Sequence, residues 1–114
     1  MGDNILQINV EVEENTTIVV PSGDIDLSKS GELRAVLQQI LIESPSKIIV
    51  DLEAVSYMDS SGVATLIEAF QLSKRAENDF VLCCLSDGVK SIIELARLDQ
   101  IFSIHPTRDD ALES

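Results

Sequence analysis

Two short, unbroken apolar runs constrain this chain more than any other feature: Lys47-Ile48-Ile49-Val50-Asp51-Leu52 and Phe80-Val81-Leu82-Cys83-Cys84-Leu85. Neither alternates polar with apolar residues, so each suits a strand covered on both faces, as in a parallel sheet. Around them the period changes. Leu33, Val36, Leu37, Ile40 and Leu41 fall on one helical stripe within residues 28 to 43, with Glu32, Arg34 and Gln38 off it. Ser28 or Ser30 can cap its start, and Pro45 fits a stop soon after its end. Val63, Leu66, Ile67 and Phe70 form a second stripe, on a helix that begins near Ser60 or Ser61. Val89, Ile92, Ile93 and Ala96 form a third. Ile101 to Ile104 reads as a short last strand. Thr107 can cap a final helix through Leu112, with Asp109 and Asp110 near its positive end.

The first residues follow a third rule. Across residues 5 to 13, Leu6, Ile8, Val10 and Val12 alternate with Gln7, Asn9, Glu11 and Glu13, the pattern of a half-buried strand. Glu14-Asn15 gives a polar turn, and Thr17-Ile18-Val19-Val20 reads as the second strand of a hairpin. Pro21 cannot donate to a ladder, so it should end that pairing or lie at an edge or bulge. Strands that alternate with helices imply parallel pairing through crossovers. The expected architecture is α/β: a mixed sheet of about five strands with an antiparallel N-terminal hairpin, otherwise parallel, and about four helices. With 114 residues and no linker or repeat, residues 1–114 read as one domain.

Charge and composition narrow the function. Acids number 20 and bases 8, a formal charge of -12 at pH 7, which opposes direct binding to nucleic acid or an anionic membrane. No apolar run approaches the ~18 residues of a membrane span. Met1-Gly2-Asp3-Asn4 has no basic leader region, and Leu6 stands where a myristoylation motif needs Ser or Thr. Cys83 and Cys84 are adjacent, and neighbours on a strand point to opposite faces, so no ordinary disulfide joins them. They read as reduced thiols of a cytoplasmic protein. His105 is the only histidine and no Cys/His spacing suits zinc, so neither metal nor cofactor is expected.

In α/β sheets, ligands and partners meet the loops beyond the carboxyl ends of the parallel strands. Two loops stand there: Ser22-Gly23-Asp24-Ile25-Asp26 and Tyr57-Met58-Asp59-Ser60-Ser61-Gly62. In the second, Asp59 or Ser60 can accept from the free N–H groups of the opening helical turn. Gly62 lets another backbone approach. A phosphate on an accessible hydroxyl would face the positive helix end but lie beside Asp59. A partner fitted to the neutral serine would then have to bury about two extra negative charges. The plainer reading of Asp-Ser-Ser-Gly is a helix cap alone, and Asp24 and Asp26 alone read as a turn and a cap. Enzyme readings find less support. The Gly-x-Ser-x-Gly elbow is absent, nothing places His105 as a base, and no Gly-rich phosphate loop is present. Asp59 lacks the acidic cluster and the lysine that a phospho-accepting aspartate would need.

The segment Asp51-Leu52-Glu53-Ala54-Val55-Ser56-Tyr57-Met58-Asp59-Ser60-Ser61-Gly62 resembles the signature of STAS domains, named for sulfate transporters and anti-sigma factor antagonists. Gly23-Asp24-Ile25-Asp26-Leu27 resembles their first loop. Val89 to Leu95 with Leu98-Asp99-Gln100-Ile101-Phe102 resembles their later helix and last strand. The resemblance implies a STAS-like sheet and a stand-alone anti-sigma factor antagonist without catalysis. The unmodified form would bind an anti-sigma factor, itself a serine kinase, and free a sigma factor. Phosphorylation of Ser60 would break the complex, and a serine phosphatase would restore it. Asp26, Asp59, Ser61, Gly62 and Val63 match the family's partner surface. The alternative is a STAS adaptor in another signalling or lipid-transport assembly. Two positions depart from the family pattern. Arg97 stands where glycine is frequent, which costs on the order of 1 kcal/mol if that position is left-handed. Pro21 replaces an apolar strand residue and bears on how Asp26 is placed.

Overall fold

The computed structural model describes residues 6–114; position 5 of the alternating segment, and Met1 to Asn4 with the leader motifs, lie outside the described residues. The element order is β1 (Gln7–Glu13), β2 (Thr16–Ser22), α1 (Ser30–Glu43), β3 (Lys47–Asp51), α2 (Ser60–Arg75), β4 (Asp79–Cys83), α3 (Asp87–Leu95), a 3₁₀ turn (Leu98–Gln100), β5 (Ser103–His105) and α4 (Arg108–Glu113). The strands lie in the order β1-β2-β3-β4-β5. β1 pairs antiparallel with β2, and the remaining pairs are parallel. This is the mixed sheet expected from the sequence.

The apolar runs are explained by two unequal covers. Val19, Ile48, Val50, Phe80 and Leu82 face the large core beneath α1, α2 and α3, where Leu33, Leu37, Leu66 and Ile93 pack on them. Their neighbours Ile18, Ile49, Val81 and Cys83 face a smaller cluster closed by Ala111 and Leu112 of α4. Every residue of β3 is buried, so its sequence shows no alternation. Phe70 meets Phe102 edge-on at 5.6 Å between ring centres and Phe80 at 6.5 Å, tying α2 to β4 and the segment before β5.

α4 is short, and β3 holds it at both ends. Lys47 Nζ donates to the main-chain oxygens of Ala111 at 2.9 Å and Ser114 at 2.6 Å, which supplies partners to the last oxygens of the helix, otherwise left without an intrahelical donor. Arg108 pairs with buried Asp51 at 3.0 Å and with Glu11 at 3.1 Å. Thr107 caps the helix by accepting from the N–H of Asp110 at 3.1 Å, as its position predicts.

Several local expectations are corrected. The alternating segment is not half-buried throughout: Leu6, just before β1, is buried, but Val10 is 47% and Val12 67% exposed. α1 reaches only as far as Val10, which shares a shallow groove with Val36 and Ile40, and the hairpin tip runs past it. Neither Ser28 nor Ser30 caps α1; Lys29 holds that place without a side-chain bond. The carbonyl of Asp26 accepts from the N–H groups of Lys29 and Ser30 instead, at 3.0 and 2.9 Å. Pro21 does not end the hairpin, since it stands opposite Ile8. It lies past Val19, the last β2 residue paired with β3, and so takes the edge position that was the other expectation for it. Ala96 is an exposed helix end rather than part of a buried stripe. The last strand starts at Ser103, because Leu98 to Gln100 form a 3₁₀ turn and leave Ile101 exposed. Arg97 is left-handed, at φ 60° and ψ 25°.

Candidate functional site

The loops that follow β2 and β3 are stitched together before either reaches its helix. The N–H of Gly23 donates to Ala54, that of Ile25 to Tyr57, and that of Asp59 to Ile25, at 3.0, 3.0 and 3.1 Å. Ile25 and Met58 form a parallel bridge, which extends the sheet's pairing by one step beyond its ends. The hydroxyl of Ser56 adds a bond to Asp24 at 3.2 Å. Gly23 has φ 114°, which a side chain rarely tolerates, so glycine is required to turn the chain out of β2.

Asp59 is the cap of α2 and the centre of the site. Its Oδ1 accepts from the N–H of Ser61 at 2.9 Å, the hydroxyl of Ser61 at 2.6 Å and the N–H of Gly62 at 3.4 Å. Its Oδ2 accepts from the N–H of Leu27 at 3.2 Å, so one carboxylate holds both loops. The hydroxyl of Ser61, followed by these backbone bonds, keeps Asp59 below the usual carboxylate range. Asp26 is also shifted down, chiefly by the Ser28 hydroxyl, which donates to it at 2.7 Å. Two anionic carboxylates therefore flank the start of α2 at neutral pH.

The two serines differ in state. Ser61 is half-buried and its hydroxyl is bound to Asp59. Ser60, the first residue of α2, is exposed, and its hydroxyl has no hydrogen-bond partner among the described residues. Asp26 and Asp59 are partly exposed beside it. Gly62 and Val63 are buried. A Cβ on Gly62 would lie 2.5 Å from Met58 Cγ and 2.9 Å from Ile25 Cγ2, so the close approach that glycine permits is internal. These two residues support the surface and contribute little area to it.

Sequence reasoning did not single out Leu27 and Tyr57, which are 78% and 49% exposed on the two loops. Their signal was available: each is a large apolar or aromatic residue inside a polar loop, adjacent to a residue already named. Large exposed side chains that rim a polar centre mark interaction surfaces. The pairing Gly88–Ser56 was also missed; a Cβ on Gly88 would meet the Ser56 carbonyl oxygen at 2.5 Å, so α3 presses on the same loop.

Fold and site together define a small α/β domain that presents a capped, serine-bearing helix start beyond the carboxyl ends of its central strands. Residues 7–111 match the STAS domain, and the chain belongs to the STAS domain family. It is similar to the anti-sigma-B factor antagonist of Listeria monocytogenes, with 28% identity over 102 residues that cover 87% of this chain and 90% of that one. An anti-sigma factor antagonist from Mycobacterium paratuberculosis superposes with a TM-score of 0.88 at 29% identity, covering 95% of this chain and 92% of that one. The Bacillus cell fate determinant SpoIIAA, in its phosphorylated form, shares the fold with a TM-score of 0.72 at 20% identity, over 95% and 96% of the two chains. Among the described residues, no helix is long and apolar enough to cross a membrane.

Proposed function

We propose that this protein is an anti-sigma factor antagonist whose binding is switched off by phosphorylation of Ser60. In this reading the bare protein docks on an anti-sigma factor that is itself a serine kinase, and a sigma factor is released. The surface consists of Leu27, Tyr57, Asp26, Asp59 and Ser60, laid over the hydrogen-bonded pair of loops. The kinase supplies ATP and magnesium; this chain supplies the acceptor hydroxyl. A phosphate there gains from the α2 N-terminus but stands beside two carboxylates. A partner seated against the bare serine would have to desolvate that added charge, and burying an uncompensated charge is strongly unfavourable. A serine phosphatase resets the state.

The observation that carries the reading is the contrast between the two hydroxyls. That of Ser60 is free and exposed, whereas that of Ser61 is consumed by the cap. The names of the Listeria and Mycobacterium relatives support the antagonist role. Incubation with an anti-sigma factor serine kinase and ATP, followed by mass mapping, tests the acceptor. Phosphate on Ser60 is expected, and it should persist in Ser61→Ala. Phosphate on Ser61 in the wild type, or none on either serine, would overturn the assignment.

A further inference from the structure

A second cluster lies at the end of the sheet outside the serine loop. Asp51 ends β3, Cys83 ends β4, and Cys84 follows. Alternation on a strand would send the two thiols to opposite faces, but Cys84 has φ 61° and leaves the extended conformation. The turn brings both sulfurs and an Asp51 oxygen within 4.8 Å of one another. Both cysteines are free. We propose that Asp51, Cys83 and Cys84 form a binding site for a thiophilic divalent cation of the zinc and cadmium class.

Geometry, access and charge support the assignment. Two sulfurs on one tetrahedral zinc, with bonds of about 2.3 Å, lie about 3.8 Å apart. Donors within 4.8 Å reach that spacing by side-chain adjustment. Asp51 is already oriented: its Oδ1 accepts from the N–H of Glu53 at 3.0 Å and its Oδ2 from Arg108 at 3.0 Å. Such outer bonds fix a ligating carboxylate and leave it lone pairs for an ion. Cys83 is buried, but Cys84 opens on a cleft of about 520 Å³ lined also by Asp51, Glu53, Pro106 and Arg108, through which an ion and a fourth, solvent ligand can enter. Binding would displace two thiol protons to water, with no oxidation. A dication replaces those two charges, so the net charge beside the Asp51–Arg108 pair is unchanged. A monovalent ion would leave the buried site one charge short.

Cadmium titration of the full chain, kept reduced by a non-thiol reductant, tests this by calorimetry and by the thiolate-to-cadmium absorption. One ion per chain is expected, with absorption from two thiolates, and magnesium at the same concentration should not bind. Cys84→Gly removes a ligand while suiting the left-handed backbone, and it should weaken cadmium binding by more than about 100-fold. Asp51→Asn should weaken it by about 10-fold or more. No thiolate absorption in the wild type, wild-type affinity in Cys84→Gly, or wild-type affinity in Asp51→Asn would each overturn the three-ligand site.

Discussion

Asp59 does two jobs with one carboxylate, and its titration shows in stability. Its folded value lies below the ordinary value of 3.8 because Ser61 and the backbone donate to the charged form. A carboxyl depressed by folding adds stability that is present above its unfolded value and lost as pH falls through the folded one. Asp59→Asn keeps a capping oxygen but no charge to titrate. Between pH 7 and about pH 3 it should lose less stability than the wild type, measured by urea midpoints at both values. Equal losses would contradict the central place given to this carboxylate. Gly62 makes a second prediction at this scale. Gly62→Ala would press a methyl into Met58 and Ile25, and it should cost about 1–3 kcal/mol in urea unfolding. A neutral result would mean that the two loops are less tightly joined than their contacts indicate.

At the scale of elements, most of the fold was legible in the sequence, and the errors have separate causes. β3 and β4 were readable because both faces are covered, and an unbroken apolar run has few other uses. The stripes of α1 and α2 were readable because each packs one side on the sheet. β1 misled, since alternation reports a capacity for burial and not the presence of a cover, and no helix reaches Val12. The caps of α1 misled because a backbone carbonyl, that of Asp26, can replace a side chain and leaves no mark on composition. Arg97 was legible as a departure, and its left-handed backbone gives that departure a cost. Arg97→Gly should therefore raise stability by up to about 1 kcal/mol, read as a higher urea midpoint with the same slope. An unchanged or lowered midpoint would mean that the guanidinium compensates for its backbone.

Over the whole molecule, the site is a product of topology. Ser60 is 34 residues from Asp26, yet parallel pairing of β2 with β3 delivers both loops to one end of the sheet. The sequence located each loop through its motif, but it could not say which serine was free. That depends on where the Asp59 carboxylate points, a question of side-chain geometry. For the same reason Gly62 and Val63, part of the expected surface, lie beneath it. Leu27 and Tyr57 take their place at the rim. The chain as a whole is acidic, so a phosphate on Ser60 would add charge of the sign the molecule already carries. The most direct measurement is the affinity of the bare and Ser60-phosphorylated proteins for an anti-sigma factor serine kinase, by calorimetry at fixed salt. The account predicts that the phosphorylated form binds at least about 100-fold more weakly, the scale of a buried unpaired charge. Equal affinity of the two forms would contradict it.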